Sequence, residues 1–130
     1  MRVAALALPA EPSSATRARR LARETAAPYG SELADVVALV ATELVTNAVL
    51  HAGTELVFRV DVEPPFVRLS VSDGSPRPPR VRHFLNDDAT GRGLAIVEAL
   101  ASDWGVDRDD DGKTVWCNVA IPEPAGEDHR

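Results

Sequence analysis

Between Val36 and Leu50 the chain carries a single charge, Glu43, set among Val, Ala and Leu. Ser31 is a helix-capping residue type, Glu32 and Asp35 suit the positive end of a helix, and Gly53 follows the run as a stop signal. The pattern predicts a helix from Ser31 to about His51. With Val36 at zero and roughly 100° per residue, Leu39, Leu50, Val40, Leu33, Leu44 and Val37 fall between about −60° and +100°. Glu43 then lies near −20° and Asn47 near +20°, in the middle of that arc. A carboxylate and an amide four residues apart share one helix face. Burying them unpaired costs roughly several kcal/mol. They are therefore either part of a polar network joining helix to sheet, or they line a cavity with water, metal or ligand. In the second case Asn47 offers a neutral oxygen to a hard cation such as Mg²⁺, and Glu43 polarises a water or hydroxyl beside it.

The other segments are shorter. Residues 1–13, with Pro9 and Pro12, read as a flexible leader, and Ser14 as the cap of a first helix reaching Ala27. Arg17, Arg19, Arg20 and Arg23 make that helix basic on its exposed side, usually just a solvated face. Residues 55–62 and 67–72 alternate as strands across Pro64-Pro65. Residues 74–90 show no period and carry three prolines and Arg77, Arg80 and Arg82, which reads as a functional lid or a disordered segment. Leu94, Val97, Ala101 and Trp104 follow helical spacing. Residues 105–108 and 113–121 read as a hairpin across Asp111-Gly112, with Val115, Cys117, Val119 and Ile121 on one face. Residues 122–130 read as a flexible acidic tail. The order predicts one α+β domain over 14–121, a two-layer sandwich with a mostly antiparallel sheet and helices on one face.

Composition narrows the function classes. A formal charge of −6 and 5% aromatic residues argue against a protein that binds nucleic acid directly. A lone cysteine, Cys117, fits a reducing compartment, and no apolar stretch reads as long enough to cross a membrane. A cytoplasmic location is the expectation. Gly112-Lys113-Thr114 ends like a P-loop, but Asp107 stands where the first glycine is required. His51, His83 and His129 lack metal-ligand spacing, Ser75 is not set in a nucleophile elbow, and His51 reads as a packing residue.

Two further motifs carry chemistry. Asp73-Gly74 ends a strand; it is a turn signal, or a carboxylate placed to accept from an exocyclic amine such as that of adenine. Gly91-Arg92-Gly93 precedes Leu94, and is a hinge or a phosphate-facing helix start, with the lid arginines as added positive charge. The ordered set Glu43-Leu44-Val45-Thr46-Asn47-Ala48, Asp73-Gly74, Gly91-Arg92-Gly93-Leu94 and Gly112-Lys113-Thr114 resembles the histidine-kinase-like ATPase superfamily, whose ATP-binding domain is the Bergerat fold. The small size is similar to the anti-sigma-factor serine/threonine kinases within it.

That resemblance implies ATP and Mg²⁺ as cofactors. Glu43 becomes the catalytic base and Asn47 the Mg²⁺ ligand. Asp73, with Gly74, reads the adenine amino group, and Thr114 is its partner on the neighbouring strand. Gly91, Arg92, Gly93 and Leu94 approach the phosphates. It also implies a homodimer, a sigma factor as partner, and an anti-anti-sigma antagonist phosphorylated on serine. Ser75-Pro76 depart from the family's aspartate box, where a glycine is usual two residues after the aspartate. The leading expectation is an anti-sigma-factor serine/threonine kinase. An ATP-gated sequestration module without phosphotransfer is the alternative, and a structural interaction domain with a degenerate site the third.

Overall fold

The computed structural model describes residues 2–74, 91–110 and 112–123. Five strands, β1 (Arg2–Leu8), β2 (Leu56–Glu63), β3 (Phe66–Asp73), β4 (Asp103–Asp109) and β5 (Gly112–Ala120), form one sheet. Their order is β1-β2-β3-β5-β4, and every neighbouring pair is antiparallel. Helices α1 (Ser13–Ala26), α2 (Ser31–Ala52) and α3 (Gly91–Leu100) cover one face, with a single 3₁₀ turn, Ala27–Tyr29, between the first two. The fold is the expected α+β two-layer sandwich.

One rung shows how register builds the core. Leu6, Phe58, Val71, Val115 and Val106 lie side by side across all five strands. Phe58, Val71 and Val115 are buried, while the residues before and after them turn to the outer face. Truncating Phe58 therefore leaves a hole beneath the helices, not a surface dent.

α1 meets α2 through small side chains. Ala15, Ala18, Ala22 and Ala26 repeat at helical spacing and are buried, which lets the two backbones approach closely. Its arginines point outward, and Arg23 reaches Asp35 of α2 at 3.6 Å with both side chains largely in water. Such a pair contributes about 0–1 kcal/mol.

Four expectations are corrected. Residues 2–8 are not a flexible leader: they pair in register with β2, and tertiary pairing overrides the weak strand propensity of their alanines. Ser14 is not a cap but a buried residue inside α1, whose hydroxyl donates to Pro9 O at 2.6 Å. α3 stops at Leu100, because the Ser102 N–H is taken by Asn118 O of β5 at 2.7 Å. Trp104 therefore lies on β4, and Ile121 lies just past β5. Finally, α2 has the length and mean hydropathy (1.8) of a membrane span, yet 56% of that stretch is buried within the protein. That is the burial of a core helix, packed between α1, α3 and β3.

Candidate functional site

Alanine decides how α2 is seated. The arc drawn from Leu and Val alone centres near Val36, yet Leu39 and Leu50 are 42% and 58% exposed. The buried residues instead include Ala34, Ala38, Ala41 and Ala48 beside Leu33, Val37, Leu44 and Val45. At roughly 100° per residue they span about +20° to +200°. The helix is thus rotated so that its alanine side is buried. Asn47 sits at the rim of the buried arc, not at its middle, and Glu43 just beyond it. Asn47 is 4% exposed and Glu43 half-buried.

The rim position matters for Asn47. Its side-chain oxygen Oδ1 is buried and has no hydrogen-bond partner among the described residues. Leaving such an acceptor unmade costs about 1–3 kcal/mol. The polar network joining helix to sheet is not formed at this atom.

At the same end of the molecule, β3 finishes in Asp73, opposite Lys113 of β5. Asp73 lies on the helix side of the sheet with Leu69 and Val71, and its side chain is 3% exposed. Lys113 Nζ stands 3.1 Å from Asp73 Oδ2, with its own side chain 10% exposed. The expected partner, Thr114, is one residue on and therefore faces the other way. It shares a 2.7 Å hydrogen bond with Ser72 on the outer face. The pairing of Thr114 with Asp73 is corrected to Lys113 with Asp73. Gly112-Lys113-Thr114 is part of the motif set, but within it Thr114, not Lys113, is the residue expected beside Asp73. Counting strand alternation back from Val115 finds Lys113.

Two backbone features hold this corner. The Gly74 N–H donates to the Thr54 hydroxyl at 3.2 Å, tying the end of β3 to the connection that follows α2. Gly112 has φ +147°, and a Cβ placed there lies 1.9 Å from the Asp73 carbonyl oxygen. Only glycine fits that approach.

Away from that corner, an opening of about 320 Å³ is lined by Leu33 and Val36 of α2, by Leu100 of α3 and Ser102 just past it, and by Val119 of β5. The end of α3 therefore lies beside the start of α2, and the two helices pack together. Gly91, Arg92, Gly93 and Leu94 form the first turn of α3 instead of preceding it. Their side chains, and residues 75–90 with Arg77, Arg80, Arg82 and the Ser75-Pro76 departure, lie outside the described residues, as do residues 124–130.

Other reactive groups fall away. Burial pushes the Cys117 thiol up to about 12, only partly offset by a backbone hydrogen bond from Leu69 and the charge of Arg68. It supplies no thiolate at neutral pH. His51 is half-buried on α2 and engaged by neighbours. Among the described residues no group of three His, Cys, Asp or Glu side chains is placed to hold a metal. Mg²⁺ that arrives on a triphosphate needs only one or two protein oxygens, and the unpartnered Asn47 Oδ1 fits that demand.

Comparison with known proteins bears on the family and the fold. The model of the histidine kinase-like ATPase domain matches residues 8–118. An uncharacterised protein of Streptomyces coelicolor is 38% identical over 91 residues, which are 66% of this chain and 82% of that one. The histidine kinase domain of the Erythrobacter litoralis blue-light activated histidine kinase superposes with a TM-score of 0.57 at 19% identity. That match covers 82% of this chain and 60% of the solved one, so this chain spans about three fifths of that domain's length. The Acinetobacter baumannii histidine kinase AdeS gives 0.56 at 11% identity, over 95% of this chain and 70% of that one. At these identities the structural likeness speaks for the fold. The family model, covering most of the sequence, speaks for more: this chain belongs to the histidine kinase-like ATPase domain family, whose domains bind ATP.

Proposed function

We propose that this protein is a regulatory Mg²⁺-ATP-dependent serine/threonine kinase of the anti-sigma-factor type, acting at the end of the sandwich where Asn47, Glu43 and Asp73 lie. The observation that carries the reading is the buried, unpartnered Asn47 oxygen one helical turn from a half-buried carboxylate. A cost of about 1–3 kcal/mol that folding alone does not repay is the signature of a group kept for a ligand.

In this reading each residue takes one role. Asn47 Oδ1 is the oxygen that would hold Mg²⁺, which when bound neutralises phosphate charge. Asp73 accepts a hydrogen bond from the exocyclic amine of adenine. The free N–H groups at the start of α3 face the phosphates. Glu43 accepts the proton of a partner's serine hydroxyl. The serine oxygen forms its bond to the γ-phosphorus as the bond to the β–γ bridging oxygen breaks, and ADP departs with that electron pair. Little covalent work falls on the protein, and positioning carries most of the rate. The partner pair is part of the proposal: a sigma factor held by the protein, and an anti-anti-sigma antagonist that receives the phosphate. A homodimer and a cytoplasmic location belong to it as well.

The test uses labelled ATP, Mg²⁺ and proteins captured from the cell of origin, with phosphosite mapping. Asn47→Ala loses Mg²⁺-dependent nucleotide binding. Glu43→Ala keeps binding and loses transfer. Wild-type transfer by both variants would end the assignment. Capture of a partner that never gains phosphoserine would point to an ATP-gated sequestration module instead.

A further inference from the structure

We infer that Lys113 is a positioning residue that makes Asp73 a fixed acceptor, so that the pair selects a 6-aminopurine over a 6-oxopurine. The inference rests on the proposed nucleotide site and adds to it a residue acting through Asp73.

Asp73 and Lys113 are directly opposite in the β3–β5 register, and both face the helix layer. Their contact is 3.1 Å from Nζ to Oδ2, with side chains 3% and 10% exposed. A carboxylate that deeply buried needs a compensating cation, and a close ammonium also sets which way its oxygens point. The backbone leaves little slack. Gly112 lies against the Asp73 carbonyl, and Thr54 holds the Gly74 N–H, so the strand end cannot swing away. An ionised carboxylate is acceptor-only. It accepts from the amine of adenine and repels the keto oxygen of hypoxanthine or guanine. Without the ammonium, a carboxylate in this setting turns toward other donors, and the fixed acceptor is lost.

The experiment compares binding of ATP and ITP, each with Mg²⁺, to the wild-type protein and to Lys113→Met. A charge-assisted hydrogen bond of ordinary strength predicts a wild-type preference for ATP of about tenfold or more. Lys113→Met brings the two nucleotides to within about threefold, and Lys113→Arg restores most of the preference. Should Lys113→Met not fold, Lys113→Leu, which also removes both charge and donor, is read the same way. Equal weakening of ATP and ITP, with the ratio kept, makes Lys113 a purely structural residue and overturns the inference while ATP binding stands. A wild-type protein that binds neither nucleotide overturns the proposed function itself.

Discussion

Two adjacent rungs of the β3–β5 ladder differ in everything but their neighbourhood. Asp73 and Lys113 face the helices and form a nearly buried ion pair, whereas Ser72 and Thr114 face outward and share a hydroxyl hydrogen bond. The strands carry both pairs on the same backbone. A shift of one residue exchanges the faces, so the chemistry of this corner is set by register more than by residue type. The inner rung, shut away from water, is where a charge has consequences. The outer rung is half-exposed, and its hydroxyls already have water as an alternative partner.

The largest effect belongs to the glycine that lets the inner rung close. Gly112→Ala puts a Cβ 1.9 Å from the Asp73 carbonyl oxygen at φ +147°, a backbone conformation that side chains rarely adopt. A loss of about 4 kcal/mol is expected, read as a fall in the midpoint of denaturant unfolding. Next comes the ion pair itself. Lys113→Met leaves a nearly buried carboxylate without its cation, for a loss of about 3–5 kcal/mol. The double change Asp73→Asn with Lys113→Met recovers much of it. A Lys113→Met loss below about 1 kcal/mol would place the inner pair with surface pairs such as Arg23–Asp35 and erase the contrast.

How far this corner could be read beforehand depends on which signal marked each residue. Glu43 and Asn47 were legible because polar groups break an otherwise apolar helix. Their exact seat was not, because alanine carries too little hydrophobicity to weigh in such an arc, yet the alanine side is the one α2 buries. β2, β3 and β5 announced themselves by alternation. β1 did not, because three of its seven residues from Arg2 to Leu8 are Ala and Pro9 follows directly, and only its pairing with β2 makes it a strand. Asp73 was found as a motif, but its partner is a matter of pairing between residues 40 apart in sequence. Local pattern does not hold that information.

A smaller effect with the opposite sign is expected at Asn47. Asn47→Leu replaces an unpartnered buried amide by an apolar group of similar size, so the protein gains about 1–2 kcal/mol of stability while losing Mg²⁺-dependent nucleotide binding. Thermal unfolding with and without Mg²⁺-ATP reads both at once. A destabilised variant would mean that the amide is held by the fold after all.

The outer rung gives the smallest change and the sharpest control. Thr114→Val keeps shape and strand propensity and deletes one hydroxyl. The bond it shares with Ser72 is neutral and half-exposed, and Ser72 can turn to water once it is gone. The expected loss is about 0.5–1 kcal/mol, seen in denaturant unfolding. Its effect on the ATP-to-ITP ratio distinguishes the two rungs more cleanly than stability does. Thr114 reaches the nucleotide side only through the sheet, so the ratio stays where the wild type has it. If Thr114→Val moved that ratio as far as Lys113→Met, the base would be read through both rungs, and the division between the two faces of this sheet would not describe the site.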